Sequence, residues 1–187
     1  ITSGSYSTGS DHALTVTGGV SGAGTLTTNA SAISFGYLTM SGTYNATTDS
    51  SGTILTSRSG PGAQLLMDAA DIVHNNGYFV FKGAAGGASY IGLNGASDAT
   101  NGIYNVEIHA SGRTVNISAY NLSIHNNLYV TIGTLDTTTL DLTVTGAIDI
   151  TGTLTGNASA ISAGGLRVND TGIFNAPTSV GSCSITG

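Results

Sequence analysis

Three groupings of acidic side chains in this sequence have spacings that suit chemistry. Asp68 lies three residues before Asp71, a pair of the kind glycoside hydrolysis needs: one carboxyl as acid, one as base or nucleophile. Asp136, Asp141 and Asp149 fall on or beside successive strand-like runs, where their oxygens could bridge a calcium ion. Glu107 and His109 are two apart, so on a strand they share one face and set an acid beside an imidazole. Set against these, Asp is at home at corners and on the solvent side of strands, where alternation puts Asp141 and Asp149. Four Lys and Arg residues, Lys82, Arg58, Arg113 and Arg167, leave few cations to stabilise a developing anion. The expectation is no catalytic residue, no cofactor and no metal site.

Other residue types allow narrower functions. His74 and His125 each open a His-Asn-Asn triplet, but a metal needs a third ligand converging with them, and the sequence offers none. Thr-x-Thr pairs at Thr15 and Thr17, Thr25 and Thr27, Thr143 and Thr145, and Thr153 and Thr155 would suit an ice-facing array only if stacked in register. Tyr90, Tyr104, Tyr120 and Tyr129 could stack on sugars, although tyrosine in a β-fold is usually packing. Sequons stand at Asn29, Asn45, Asn116, Asn121, Asn157 and Asn169, little above chance in so Asn-, Ser- and Thr-rich a chain. Cys183 is the only cysteine and reads as an incidental or buried thiol.

The elements that must position these residues are read from composition and period. Charged residues make up 7% of the 187, against about 25% in ordinary domains, while 40% are hydrophobic and 28 are glycine. Ser and Thr supply more than a quarter of the chain. Thr, Val, Ile and Tyr fit a pleated surface, and Glu and Lys, the residues of exposed helices, are nearly missing. The net charge of −6 and scattered basic residues exclude a phosphate-tracking surface, so nucleic acid is not an expected partner. No run of about 18 apolar residues spans a membrane. A secretion signal is either already removed or lies upstream of residue 1.

Apolar residues alternate with Thr, Ser or Asn in short runs. Examples are Val106-Glu107-Ile108, Val115-Asn116-Ile117, Leu122-Ser123-Ile124, Leu128 to Ile132, Leu140 to Val144, Ile148-Asp149-Ile150 and Leu166-Arg167-Val168. Each run buries alternate residues on one face. The runs recur every seven to ten residues or so, and three per turn would give coils of about 20 to 25 residues, the scale of a stacking repeat. The expected fold is therefore all-β: a parallel β-solenoid (β-helix) of about eight coils with roughly three short strands each. An echo supports it: His74-Asn75-Asn76-Gly77-Tyr78 returns 51 positions later as His125-Asn126-Asn127-Leu128-Tyr129, two coils on and at the same corner.

A longer echo links the two ends. LTVTGGVSGAGTLTTNASAIS from Leu14 and LTVTGAIDITGTLTGNASAIS from Leu142 match at 15 of 21 positions. Residues 13–46 are thus related to 141–176, within a solenoid expected over 13–187 behind a Ser- and Gly-rich leading segment, 1–12. The repeat predicts the same coil edge used again, in a chain excised from a longer array or stacked on neighbours. Segment 60–73 is ambiguous between two helical turns started by Pro61 and strands at Leu65 to Met67 and Ile72 to Val73; its β surroundings favour strand.

The second copy of that phrase, with AGGLRVNDTGIFNAP at 163–177, resembles two groups of surface proteins. One is the repetitive bacterial adhesins of filamentous-haemagglutinin and autotransporter type, which are right-handed parallel β-helices. The other is phage tail-fibre shafts, whose chains often trimerise. The resemblance implies a non-enzymatic structural or adhesive segment of an extracellular fibre on a cell or virion surface. Its expected partners are copies of itself and a cell-surface glycan. A glycan- or ice-binding module and a polysaccharide-cleaving enzyme are the alternatives.

Overall fold

The computed structural model describes residues 3–9, 12–56, 62–83, 89–178 and 181–187; Arg58 and Pro61 lie outside them. Strands run through all of the described stretches. The first six are β1 (Ser5–Ser7), β2 (Leu14–Gly22), β3 (Thr25–Thr27), β4 (Ile33–Met40), β5 (Tyr44–Asn45) and β6 (Thr53–Leu55). Next come β7 (Gly62–Asp68), β8 (Ile72–Val73), β9 (Tyr78–Phe81), β10 (Ser89–Asn94), β11 (Asn105–Ile117) and β12 (Leu122–Ile124). The last are β13 (Leu128–Asp136), β14 (Leu142–Ile150), β15 (Thr153–Thr155), β16 (Ala160–Val168), β17 (Ile173–Asn175) and β18 (Ser182–Ile185). Among the described residues the only helical piece is a single 3₁₀ turn, Ala69–Asp71, capped by the Asp68 carboxylate. From Gly62 on, the ambiguous segment is thus strand, turn, strand.

Among the described residues all strand pairs are parallel, one isolated antiparallel bridge joining Val73 to Asn101, and the pairs form three ladders. On the first face the partners run Leu14, Ile33, Thr53, Phe79, Val106, Leu128, Ile148, Leu166. On the second they run Val20, Leu38, Leu65, Ile91, Ile117, and onward from Val115 through Leu135 and Leu154 to Phe174. The third joins Tyr6, Leu26, Tyr44 and Ile72, then Leu122, Leu142, Ile161 and Cys183. Between those two sets the chain passes through Ile103 and Tyr104, whose carbonyls accept from His125 and Asn126. Six strands, β4, β6, β9, β11, β10 and β7, close a ring of parallel pairings, and the others extend it.

Side chains on the inner side of these ladders form one continuous core. Phe35, Leu38, Leu65, Phe79, Val106, Leu128, Leu142 and Ile148 are each at most 1% exposed. Alternation explains the choice, since Thr143 and Thr145 point out while Leu142 and Val144, each one residue before them, are buried. Tyr44 packs edge-on between Phe35 and Phe79, with ring centroids 6.4 and 6.1 Å away. Its phenol meets the Thr53 hydroxyl at 2.6 Å, and burial pushes its pKa up to about 12. Two runs depart from strict alternation. Ile132 is 41% exposed because the β13 register shifts against β11 just before a corner at Gly133. Val168 is 46% exposed because its rung is outermost on the first face.

The long strands bend at corners, where the register slips: in β2 between Val16 and Gly19, and in β14 between Val144 and Ala147. The repeated phrase keeps this shape in both copies but not its place. The first copy rounds the corner from first to second face, whereas the second rounds the corner from third to first. The expectation of the same coil edge is therefore corrected: the phrase returns on a different pair of ladders, displaced by one face. Glycine is required where rungs meet at the bend. A Cβ on Gly146 would lie 2.6 Å from the Asn126 carbonyl, and one on Gly133 (φ +89°) 2.1 Å from that of Ala110.

Charge cannot enter such a core without partners. Replacing Leu142 and Val144 together by Asp is expected to abolish folding, seen as loss of the β circular-dichroism signal. A soluble product with unchanged spectrum would contradict the face assignment.

Candidate functional site

The corners are held by polar side chains that reach one rung back. The amides of Asn29, Asn45, Asn126, Asn157 and Asn175 donate to Ser7, Thr27, Asn105, Asp136 and Thr155, at 2.6 to 3.2 Å and 18 to 22 residues upstream. Asn29 and Asn157, equivalent in the two phrase copies, both adopt left-handed backbone, at φ 43° and 47°, as Asn tolerates. Beneath them lie buried hydroxyls: Ser31 donates to Thr8 at 2.8 Å, and Thr137 meets Ser159 at 2.7 Å. Four sequon asparagines, Asn29, Asn45, Asn157 and Asn169, thus spend their amides on the rung below.

The two histidine phrases come together, the His74 and His125 rings facing each other. His74 is 1% exposed; its Nδ1 accepts from the Asn76 amide at 2.9 Å and its Nε2 donates to the Asp98 carbonyl at 3.0 Å. Tyr104 of the intervening turn packs on it at 4.9 Å, and the His125 ring lies at 6.2 Å and 16°. Both ring nitrogens are thereby engaged in the neutral form. Burial, helped by nearby His125, lowers the His74 pKa below its ordinary 6.5, while its bond to the Asp98 carbonyl works the other way.

The candidate acids separate. Asp136, Asp141 and Asp149 lie on the second, third and first faces, bonded to the Thr138 amide, the Ala160 amide and Asn169 respectively. Among the described residues no group of three His, Cys, Asp or Glu could hold a metal. Asp68 and Asp71 do line one open groove, with Leu66 and Tyr120 beside them, but Asp68 is committed to capping the 3₁₀ turn and to Asn94. The Thr-x-Thr pairs are divided among all three faces. Tyr90, Tyr104, Tyr120 and Tyr129 are likewise spread over different faces and corners. Cys183 holds an inward position, opposite Ile161, yet is exposed at the outermost rung.

Glu107 and His109 do come together, and with more company than their spacing foretold. Glu107 Oε1 accepts from His109 Nδ1 at 3.0 Å and from the Thr131 hydroxyl at 2.9 Å. Beside them Tyr78 and Tyr129 lean together, centroids 6.0 Å apart, and their contact and the Glu107 charge add to burial in raising the Tyr78 pKa. Val80 is the apolar floor of this open groove of about 400 Å³, and Ser50 and Ser51 form its rim. Tyr78 was missed as a site residue. Its signal was present, since Tyr78 and Tyr129 are the fifth residues of the two His-Asn-Asn phrases.

Neither protein-family models, nor curated proteins, nor solved structures give a significant match to the chain.

The neutral His74 makes stability pH-dependent. Its folded pKa is depressed, so the unfolded chain binds the extra proton first, and stability present above pH 6.5 is lost as pH falls through that value. Thermal melts are expected to decline between pH about 7 and about 5.5, and His74→Asn to flatten that slope. Equal slopes for both proteins would contradict the assignment.

Proposed function

We propose that the chain is a run of coils in a parallel β-solenoid and serves as a non-enzymatic structural and adhesive segment of an extracellular surface fibre. The observation that carries the reading is the order in which the chain visits its faces. From Leu14 to Leu166 it passes first, second and third face in unchanging sequence, and first-face partners are 18 to 27 residues apart. The six-strand ring fits the same path. Strands β4 and β11 each round a corner and so pair on two faces, linked by β6 and β9 along one and by β7 and β10 along the other. Long parallel strands rounding corners are what a coil with three sides produces.

Each rung bonds only to its neighbours, so length can be added without altering what is already folded. The outermost rungs leave apolar side chains uncovered: Tyr6 is 48% exposed, Val168 46% and Ile173 52%. A further rung stacked there would cover them and pair the open strand edges. Low charge favours such stacking, and the resemblance of the repeated phrase to adhesin and tail-fibre repeats supports a place on a cell or virion surface. A single carboxylate lines the groove around Tyr129, where cleavage of a glycosidic bond would need two.

Electron microscopy at neutral pH is expected to show filaments of uniform width whose length grows with protein concentration. Val168→Asp with Ile173→Asp, at already exposed positions, should shorten them without changing the circular-dichroism spectrum. Discrete particles at every concentration would overturn self-stacking.

A further inference from the structure

The groove on the first face combines features that no packing role requires. Tyr78, Val80, Glu107, Tyr129 and Thr131 all line it, and by alternation all five point outward from a face whose core is already filled by Phe79, Val106, Leu128 and Val130. Tyr78 and Tyr129 come from rungs two turns apart, yet their rings converge to 6.0 Å at a tilt of 36°. That spacing is too close for a ring to slip between them, so together they make a broad, partly exposed aromatic platform.

At the polar side, Glu107 is fixed by two donors on one oxygen, Oε1. Among the described residues Oε2 takes no hydrogen bond, so the carboxylate that lines the groove keeps a free anionic acceptor. Asn127 donates to the Tyr129 phenol at 3.2 Å, which holds that ring in place. No Lys or Arg lines the groove, and its carboxylate repels anions.

We propose that this groove binds a neutral saccharide, with a sugar's apolar face stacked on Tyr78 and Tyr129 and a ring hydroxyl donating to Glu107 Oε2. The site deepens the adhesive half of the function proposed above and rests on the same stacked scaffold, which fixes Tyr78 and Tyr129 on rungs held in register. A sulfated, sialylated or nucleotide ligand meets a carboxylate where it would need a cation. A polyhydroxylated neutral ring offers both things the groove asks for: C–H surface for the aromatic platform and a donor for the carboxylate. One carboxylate without a second across the groove makes this a binding site and not a cleaving one.

Isothermal titration of the full chain with neutral tetrasaccharides of glucose, galactose and N-acetylglucosamine, in both anomeric linkages, tests the proposal. At least one is expected to bind with a Kd of roughly millimolar order. Tyr129→Ala should weaken it about tenfold, the usual scale for a lost stacking ring. Glu107→Gln should weaken it too, whereas the distant Tyr120→Ala should retain it, all three variants keeping the wild-type circular-dichroism spectrum. The proposal is overturned if no neutral sugar binds, if Tyr129→Ala and Glu107→Gln bind as wild type does, or if oligolysine peptide is the only ligand taken. Failure here with filaments still present would remove the sugar site and leave the fibre; sugar binding by discrete particles would do the reverse.

Discussion

Parallel backbone hydrogen bonding between rungs is the constraint from which the rest follows. It holds successive rungs about 4.8 Å apart in register, so each side chain has its counterpart of the next turn directly above it. Inward positions must then be apolar at every level, and corners must be narrow enough for a carbonyl to pass beneath the next turn. The same register disfavours like charges in adjacent rungs, since such pairs directly opposite one another are destabilising. The outward ladder of the first face obeys this: Glu107 is followed by Tyr129, then Asp149, then Arg167. The two acids are separated by a neutral residue, and the one charged neighbour of Asp149 is an arginine 3.9 Å away. A charged fraction of 7% is what a chain built of such ladders can accommodate.

Asparagine answers a second need of the same geometry. A corner leaves the regular ladder, so its polar groups must be satisfied by side chains, and an amide that donates one rung down does this wherever the chain turns. The two copies of the repeated phrase show that this solution is local. Asn29 turns the chain from third to first face, and Asn157 from second to third, with nearly equal φ and with a serine two residues on bonded to a buried threonine beneath. A phrase that encodes a bend and a capped corner can serve wherever the chain passes from one ladder to the next. Repetition in this chain therefore records local geometry and not a fixed position around the axis.

Much of this was legible in the sequence because strand alternation and rung spacing are local signals. Leu142 and Val144 read as inward and are; the histidine phrases read as neighbours, and their rings lie together. What could not be read was which side chains meet across rungs when coil length varies. The first-face spacing of 20 residues from Ile33 to Thr53 widens to 26 at Phe79 and 27 at Val106. A uniform period therefore misplaces everything between. Ile132 looked inward because alternation says nothing of a corner one residue ahead. Glu107 and His109 were paired by their own spacing, but Thr131 and Tyr78 joined them only through the actual register.

The most direct test of the account is the distance along the axis between the first and last rungs of the first face. Spin labels on Thr15→Cys and Arg167→Cys, with Cys183→Ser to remove the native thiol, would be measured by double electron–electron resonance. Seven rung spacings of about 4.8 Å predict a separation of about 34 Å, rising by one spacing per rung when the second label is moved through Ser34, Ile54, Val80, Glu107, Tyr129 and Asp149. Distances that level off or fall below about 20 Å, as strands closing on themselves into a barrel would give, would contradict it.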